Sequence, residues 1–223
     1  MKNNVLIVAA HSDDETLGCG GSIARHAYQG DIVHVVFMAD GVTSRNPNSQ
    51  VELDRRISAA SLACEILGIM GIRYLGLPDN RMDSLALLDV VQPLEKIIQE
   101  FAPNIVYTHH RGDLNIDHRI THQAVMTACR PQPDGTVKEI FGFEILSSTE
   151  WSFSRQEMFV PNMFCDISSF LSTKLKALQI YEMEMRPAPH TRSIIHAEYL
   201  ARHRGNTVGV EAAEAFEVIR IIR

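Results

Sequence analysis

Short apolar runs alternate with longer amphipathic stretches along the first half of the chain. The runs are rich in β-branched residues and predict buried strands, whereas apolar residues at helical spacing predict helices. Four strands are predicted, at Asn4–Ala10, Ile32–Ala39, Ile72–Leu75 and Asn104–Thr108. Four helices are predicted between and after them, at Thr16–Gln29, Val51–Leu67, Leu85–Phe101 and Asp117–Cys129.

The second half of the chain is less regular. A strand is predicted at Glu139–Ser147, another near Met158–Val160 and a helix at Ser168–Glu184. After a turn at Pro187–His190, one or two helices are expected to finish the chain. No internal repeat or linker interrupts the pattern, so a single domain over residues 1–223 is expected.

Alternating strands and helices predict the α/β class, with a mostly parallel sheet covered by helices on both faces. Such sheets bind ligands beyond the carboxyl ends of their strands, where the strand order reverses. In the common doubly wound order, the first and fourth strands are neighbours at that point. The loops after them, His11–Glu15 and His109–Asn115, hold the densest clusters of His and Asp in the chain.

Composition narrows the class of protein. Hydrophobic residues make up 45% and charged residues 22% of the 223 residues, which is typical of a globular domain. A net charge of -6 argues against a nucleic-acid partner. No apolar run approaches the roughly 20 residues of a membrane span, and Val5–Ala10 is too short for a secretory signal, so a cytoplasmic protein is expected. Four widely spaced cysteines without a CxxC pair fit reduced thiols.

The first cluster runs Ala10-His11-Ser12-Asp13-Asp14-Glu15. His11 and Asp14 are three residues apart, so on a turn into a helix they can face one point and bind a cation such as zinc. Asp13 beside them suits a general base. The alternative is helix capping, since Ser12-x-x-Glu15 is a capping box and acids are favoured at helix N-termini.

The second cluster runs from His109 to His118 and ends in Asn115-Ile116-Asp117-His118. His118 in the first helical turn would complete a set of two histidines and one aspartate, the pattern of catalytic zinc with an open position. Asp117 would then orient a ligand. The alternative is that Asp117 only caps the helix and the histidines lie on the surface.

A dinucleotide site is a second interpretation of the first strand and helix. Gly18-Cys19-Gly20-Gly21 resembles part of a G-x-G-x-x-G motif, but its third glycine would fall at Ile23 and three acids precede it. We therefore interpret these glycines as allowing close packing of helix on sheet. A nicotinamide-dependent oxidoreductase and a non-catalytic metal-binding protein remain the alternatives to a metal-dependent hydrolase.

Both clusters resemble motifs of one known family. Ala10–Glu15 resembles the opening signature of the LmbE/PIG-L metal-dependent de-N-acetylases, and Asn115–His118 resembles their later HxDH motif. The similarity continues over nearly the whole chain, through Arg56, Leu77-Pro78-Asp79, Pro161-Asn162, Asp166-Ile167-Ser168 and Gly209–Phe216.

The resemblance implies a Rossmann-like three-layer fold with one zinc, or another divalent cation, bound by His11, Asp14 and His118. Asp13 would be the general base and Asp117 the acid behind the ligands. The implied reaction removes an N-acetyl group from a free, nucleotide-linked or conjugated amino sugar through zinc-activated water. The substrate is thus a small molecule, and a homo-oligomer is left open.

The resemblance also implies that Arg56 helps to hold the substrate. It differs at one position, because the histidine that stabilises the oxyanion in the family is Asn115 here. Asn115 either does a weaker version of that job or is replaced by another residue, for which His109, His110 and His190 are candidates.

Further residues are candidates for contacts with the rest of the substrate. Arg45, Arg55 and Arg111 would bind a phosphate or a sugar hydroxyl, unless they are only solvent-facing charges. Trp151 and Phe153 would stack on a sugar ring or on a partner subunit, unless they belong to the core.

Overall fold

The computed structural model describes residues 2–42, 44, 50–153 and 155–223, so Arg45 lies outside the described residues. In chain order, the strands of this part are β1 Asn4–Ala9, β2 Ile32–Ala39, β3 Gly71–Leu77, β4 Ile105–His109, β5 Glu139–Phe143, β6 Met163–Asp166 and β7 Ala213–Ile221. The α-helices are α1 Asp14–Tyr28, α2 Gln50–Leu67, α3 Leu87–Phe101, α4 Ile116–Ala128, α5 Leu171–Ile180 and α6 Ile194–Asn206. Short 3₁₀ turns lie at Met82–Ser84, Thr149–Trp151 and Arg155–Glu157.

The strands form one sheet in the order β3-β2-β1-β4-β5-β7-β6. β1 to β5 pair in parallel, and β7 runs antiparallel to both β5 and β6. Alternate residues of β1 belong to separate cores: Ile7 packs on the side of α1 and α2, whereas Leu6 packs on the side of α3 and α4. The predicted three-layer α/β/α class with a mostly parallel sheet is therefore confirmed.

Among the described residues, none of the helices has both the length and the apolar composition needed to cross a membrane.

The first-half elements match their predicted positions within about two residues, but the C-terminal prediction is wrong. A single helix, α6, is followed by β7 rather than by a second helix. β7 inserts between β5 and β6, so it is a strand because of partners far away in the sequence. The strand expected near Met158–Val160 is also wrong: those three residues are irregular, and the next strand, β6, begins at Met163.

The glycines of α1 lie inside the helix rather than in the turn between strand and helix, where a phosphate loop belongs. A Cβ on Gly18 would overlap the Phe143 ring, and a Cβ on Gly21 would lie 2.7 Å from Ile167 Cδ1. The interpretation of these two glycines as close-packing positions is confirmed.

A kink at Cys19 interrupts α1, and a buried ion pair satisfies the backbone groups around it. Lys174 Nζ donates to the Leu17 carbonyl at 2.8 Å and pairs with Glu214 at 2.6 Å. The Glu214 carboxylate also accepts the backbone N–H group of Gly21 at 2.9 Å. Removing either partner would leave the other as an unpaired buried charge, which is strongly destabilising. The ion pair therefore stabilises the kinked conformation of α1, the helix that begins at the first acidic cluster.

Gly21→Ala is expected to lower the free energy of unfolding by about 1–3 kcal/mol, because the new methyl group overpacks against Ile167. Gly20→Ala is the matched control. Its Cβ would lie 3.2 Å from Thr16 Cγ2, a looser contact, while both substitutions gain the same helix propensity. Urea unfolding of the two variants measures the difference, and equal stabilities would contradict the overpacking.

Candidate metal centre and active site

The two His/Asp clusters meet at one edge of the sheet. β1 and β4 are parallel neighbours, with Ile7 opposite Tyr107, so the loops that follow them lie side by side. The strand order reverses between these two strands. The two clusters therefore meet where the predicted strand order placed them, at the carboxyl ends of β1 and β4.

Three buried side chains converge in this cleft. Asp14 Oδ2 lies 3.3 Å from His11 Nδ1 and 3.3 Å from His118 Nε2. Each residue is at least nine-tenths buried, so the histidines are not surface residues. Burial favours a raised pKa for Asp14, but nearby imidazoles, His118 first, outweigh it and hold that pKa well below its ordinary value. The carboxylate is thus ionised at neutral pH.

The donor set fits a divalent cation. One nitrogen from each histidine and one oxygen of Asp14 lie within 4.8 Å of one another. Among the described residues, the buried Asp14 Oδ1 atom has no hydrogen-bond partner. A buried carboxylate oxygen without a partner is costly unless a cation binds it. Asp79 and Asp117 form a second such group with His11, but through its other nitrogen, Nε2.

Asp117 already holds the backbone of another turn. Its carboxylate accepts the N–H groups of Asn80 at 2.7 Å and Met82 at 3.1 Å, and it hydrogen-bonds His11 Nε2 at 3.1 Å. It does not cap α4, because the helix cap is Asn115, whose Oδ1 accepts the Asp117 N–H group at 2.8 Å. The structure thus shows Asp117 bonded to the ring of His11 and not capping α4; that it orients a metal ligand stays a prediction.

A second acid, Asp113, lies behind His118 and was missed by the sequence prediction. Its Oδ1 is 3.1 Å from His118 Nδ1, and its carboxylate accepts hydrogen bonds from Ser148 Oγ and from Thr149 Oγ1. Although burial favours the protonated form, His118 and these hydroxyls hold the pKa of Asp113 well below its ordinary value. Each histidine of the donor set thus has a carboxylate oxygen 3.1 Å from the ring nitrogen that faces away from Asp14.

Asp13 is buried beside this donor set. Its φ of 124° lies in a region that non-glycine residues rarely adopt, and Glu15 accepts its backbone N–H group at 3.0 Å. Burial raises the pKa of the Asp13 carboxyl to about 6, although Arg192 opposes the shift. Ser12 does not cap α1: the helix begins at Asp14, and the cap residue Asp13 makes no side-chain capping bond. The capping-box alternative is therefore wrong for Ser12.

Arg192 is the cation that contacts Asp13, and sequence reasoning did not single it out. Its Nη1 donates to Asp13 Oδ2 at 2.9 Å and its Nε to Ser147 Oγ at 2.9 Å. His190 Nδ1 accepts the Arg192 backbone N–H group, and Trp151 packs edge-on against the His190 ring. The Pro-His-Thr-Arg turn thereby places a guanidinium beside the buried acid.

Arg56 and Asn115 are both engaged by other residues. Arg56 donates to Ser12 Oγ at 3.2 Å, to the Gly41 carbonyl at 2.8 Å and to Glu184 Oε1 at 2.7 Å. Asn115 uses Oδ1 as the helix cap, and its Nδ2 donates to Asn80 Oδ1 at 3.2 Å. The Asn115 amide carries a second N–H group, which can donate to a ligand while the first binds Asn80.

The other candidate histidines differ in their surroundings. His109 accepts the Ala10 N–H group at 2.9 Å and stacks on His118, and His110 lies between Glu217 and the Glu157 carbonyl. Both His109 and His110 are buried. His190, by contrast, lines the open cavity that lies over the three converging side chains.

A cavity of about 1280 Å³ opens over this centre. Its lining includes His11, Asp13, His118, Arg56 and Arg192. The cleft combines a donor set that fits a cation, a buried carboxylate with a raised pKa, and guanidinium groups beside one open cavity. These are the groups that metal-assisted hydrolysis uses.

Comparison with known proteins identifies the family. The model of the PIG-L family, described as GlcNAc-PI de-N-acetylase, matches residues 6–129, more than half of the chain. The chain belongs to the PIG-L family. The uncharacterized deacetylase YaiS of Escherichia coli is 33% identical over 184 residues, covering 80% of this chain and 90% of that protein.

Two further matches differ in their stated activities. The N,N'-diacetylchitobiose deacetylase from Pyrococcus horikoshii superposes with a TM-score of 0.77 at 21% identity, covering 97% of this chain and 83% of that one. This likeness shows the shared fold. The 4-oxalmesaconate hydratase of Pseudomonas putida is 29% identical over 191 residues, covering 80% of this chain and 72% of that protein.

Proposed function

We propose that this protein is a metal-dependent hydrolase that removes the N-acetyl group from an amino-sugar substrate. The observation that carries the proposal is the buried Asp13 carboxylate beside the convergent His11, Asp14 and His118 side chains, at the base of a large cavity. A site that only stored a metal would have no need of Asp13. The deacetylase names within the family support the same activity.

His11, Asp14 and His118 would hold one divalent cation per chain. Two imidazoles and a carboxylate with room for a further ligand favour zinc. When bound, such a cation supplies Lewis acidity to a carbonyl oxygen and lowers the pKa of a water molecule.

Asp13 moves the proton in the proposed reaction. It accepts a proton from the attacking water as the new carbon–oxygen bond forms, and it returns that proton to the nitrogen as the carbon–nitrogen bond breaks. The products are acetate and a free amine. The pKa of about 6 suits both transfers near neutral pH, and Arg192 keeps the carboxylate aimed into the cavity.

The donor that stabilises the oxyanion is the part of the mechanism where this chain departs from the family pattern. Asn115 is neutral and offers one remaining amide N–H group, whereas Arg192 is a cation beside Asp13, so we assign this role to the Arg192 and His190 turn, which also lines the cavity. Arg56 would position the sugar.

The test is to measure metal content and acetate release on purified protein. We expect about one divalent cation per chain, and release of equimolar acetate and free amine from N-acetylglucosamine or its nucleotide-linked or glycosidic derivatives. Chelation should abolish release, and added zinc should restore it. Bound metal without acetate release would favour a non-catalytic or hydratase role, and nicotinamide binding without metal would favour the oxidoreductase.

Asp113→Asn is expected to weaken metal binding by about 10–100-fold, because His118 loses the carboxylate that orients its ring. Competition with a chromophoric chelator measures the change. Asp31→Asn is the matched control, since Asp31 pairs with His26 at 2.7 Å away from the centre. Equal affinities for the two variants would contradict the assigned role of Asp113.

A further inference from the structure

The cavity is larger than the metal centre requires. Its volume of about 1280 Å³ exceeds the usual upper range for ligand sites, about 1,000 Å³. Besides the residues around Asp13, it is lined by one face of α2, including Ala59 and Leu62, and by the chain around the end of α5, including Ile180 and Met183. We call these four apolar residues the outer wall.

The outer wall exposes apolar surface inside the cavity. Leu62 is 52% exposed and Met183 is 51% exposed, although both side chains line a concave surface. Apolar side chains left open in a concave site are typical of ligand contacts.

The charged residues that line the same end of the cavity include both signs, so they do not favour a ligand of one particular charge. The cations Arg55 and Arg186 stand against three acids, Glu52, Asp54 and Glu182. The apolar residues are therefore the distinguishing chemistry of this end of the cavity.

An ion pair lies between the outer wall and the metal centre. Arg56 on α2 pairs with Glu184 at 2.7 Å, which ties α2 to the segment after α5, and Arg56 also donates to Ser12 beside Asp13. Arg56 therefore lies between the Asp13 end of the cavity and the end that Leu62 and Met183 line.

We propose that the outer wall binds an apolar alkyl or aryl aglycone on the amino sugar. This inference rests on the proposed deacetylase function and specifies its substrate class. The sugar occupies the polar inner end, with its acetamide group at Asp13, and its anomeric substituent lies along the outer wall.

The experiment compares methyl and hexyl glycosides of N-acetylglucosamine, in both anomeric forms, with the metal-loaded enzyme. We expect kcat/KM for one hexyl anomer to exceed that for its methyl counterpart by about tenfold, because methylene groups leave water on binding. A double variant, Leu62→Gln with Met183→Gln, should lose this preference and keep the methyl-glycoside rate. Ile66→Gln is the matched control, since Ile66 is exposed on the same helix and does not line the cavity.

The outcomes separate the two proposals. Equal rates for hexyl and methyl glycosides, or an unchanged preference in the double variant, would overturn the aglycone site and leave the deacetylase intact. A preference for a longer N-acyl chain over a longer aglycone would also overturn it. Absence of cleavage of every glycoside, with the metal bound, would overturn the deacetylase and the aglycone site together.

Discussion

Replacing Asp13 with asparagine is expected to lower kcat by about 10²–10⁴-fold, the usual contribution of a positioned general base. Asparagine has the shape of aspartate and can still accept the hydrogen bond that Arg192 now donates to Asp13 Oδ2. It cannot accept a proton from water at neutral pH. The loss should therefore fall on the chemical step while the metal stays bound.

The measurement is steady-state acetate release together with metal content of the same sample. Asp54→Asn is the matched control, because Asp54 lines the same cavity as an exposed carboxylate and should tolerate the change. If Asp13→Asn turns over substrate at the rate of the unmodified enzyme, the base is a different group. If it loses its metal instead, Asp13 belongs to the cation site.

The sheet and the place of the cleft could be predicted because their determinants are local. Ile32–Ala39 is a continuous apolar run in the sequence and the same residues form β2. Parallel order then follows from strand and helix alternation, and this order brings the β1 and β4 loops together. His11 and His118 could thus be paired in prediction although 106 residues separate them.

The parts that were missed depend on contacts between distant segments. Arg192 lies 179 residues from Asp13, and its turn carries no local pattern that indicates a partner. β7 is a strand because β5 and β6 flank it. Asp113 belongs to the second cluster, which the sequence did indicate. Its spacing from His118 does not show which acid faces the imidazole ring, because a loop separates the two residues.

The helix cap shows how one residue's structural role changes the prediction for another. Asn115 was considered for the oxyanion because of its place in the motif, yet asparagine is also a preferred cap residue, and here it caps α4. Because Asn115 caps the helix, the Asp117 carboxylate can accept the backbone N–H groups of Asn80 and Met82 instead. From the sequence, only Asp117 was considered as the cap of this helix.

Asp14→Ala is expected to reduce bound metal from about one ion per chain to less than about one tenth, the largest change in metal binding that a single substitution should cause. Asp14 supplies the oxygen between His11 and His118, and it carries the negative charge of the set. Without it, no carboxylate oxygen lies between the two imidazoles at the position that Asp14 Oδ2 now holds. Elemental analysis after gel filtration measures the loss.

A loss of metal has meaning only if the variant remains folded. Asp31→Ala removes a carboxylate that pairs with a different histidine, His26, and should keep its metal. Circular dichroism and urea unfolding should show Asp14→Ala folded, since removing this carboxylate also removes a buried, ionised group whose Oδ1 lacks a partner among the described residues. A folded Asp14→Ala protein with full metal occupancy would mean that the cation binds elsewhere, and the group of His11, Asp79 and Asp117 would then be the site to test.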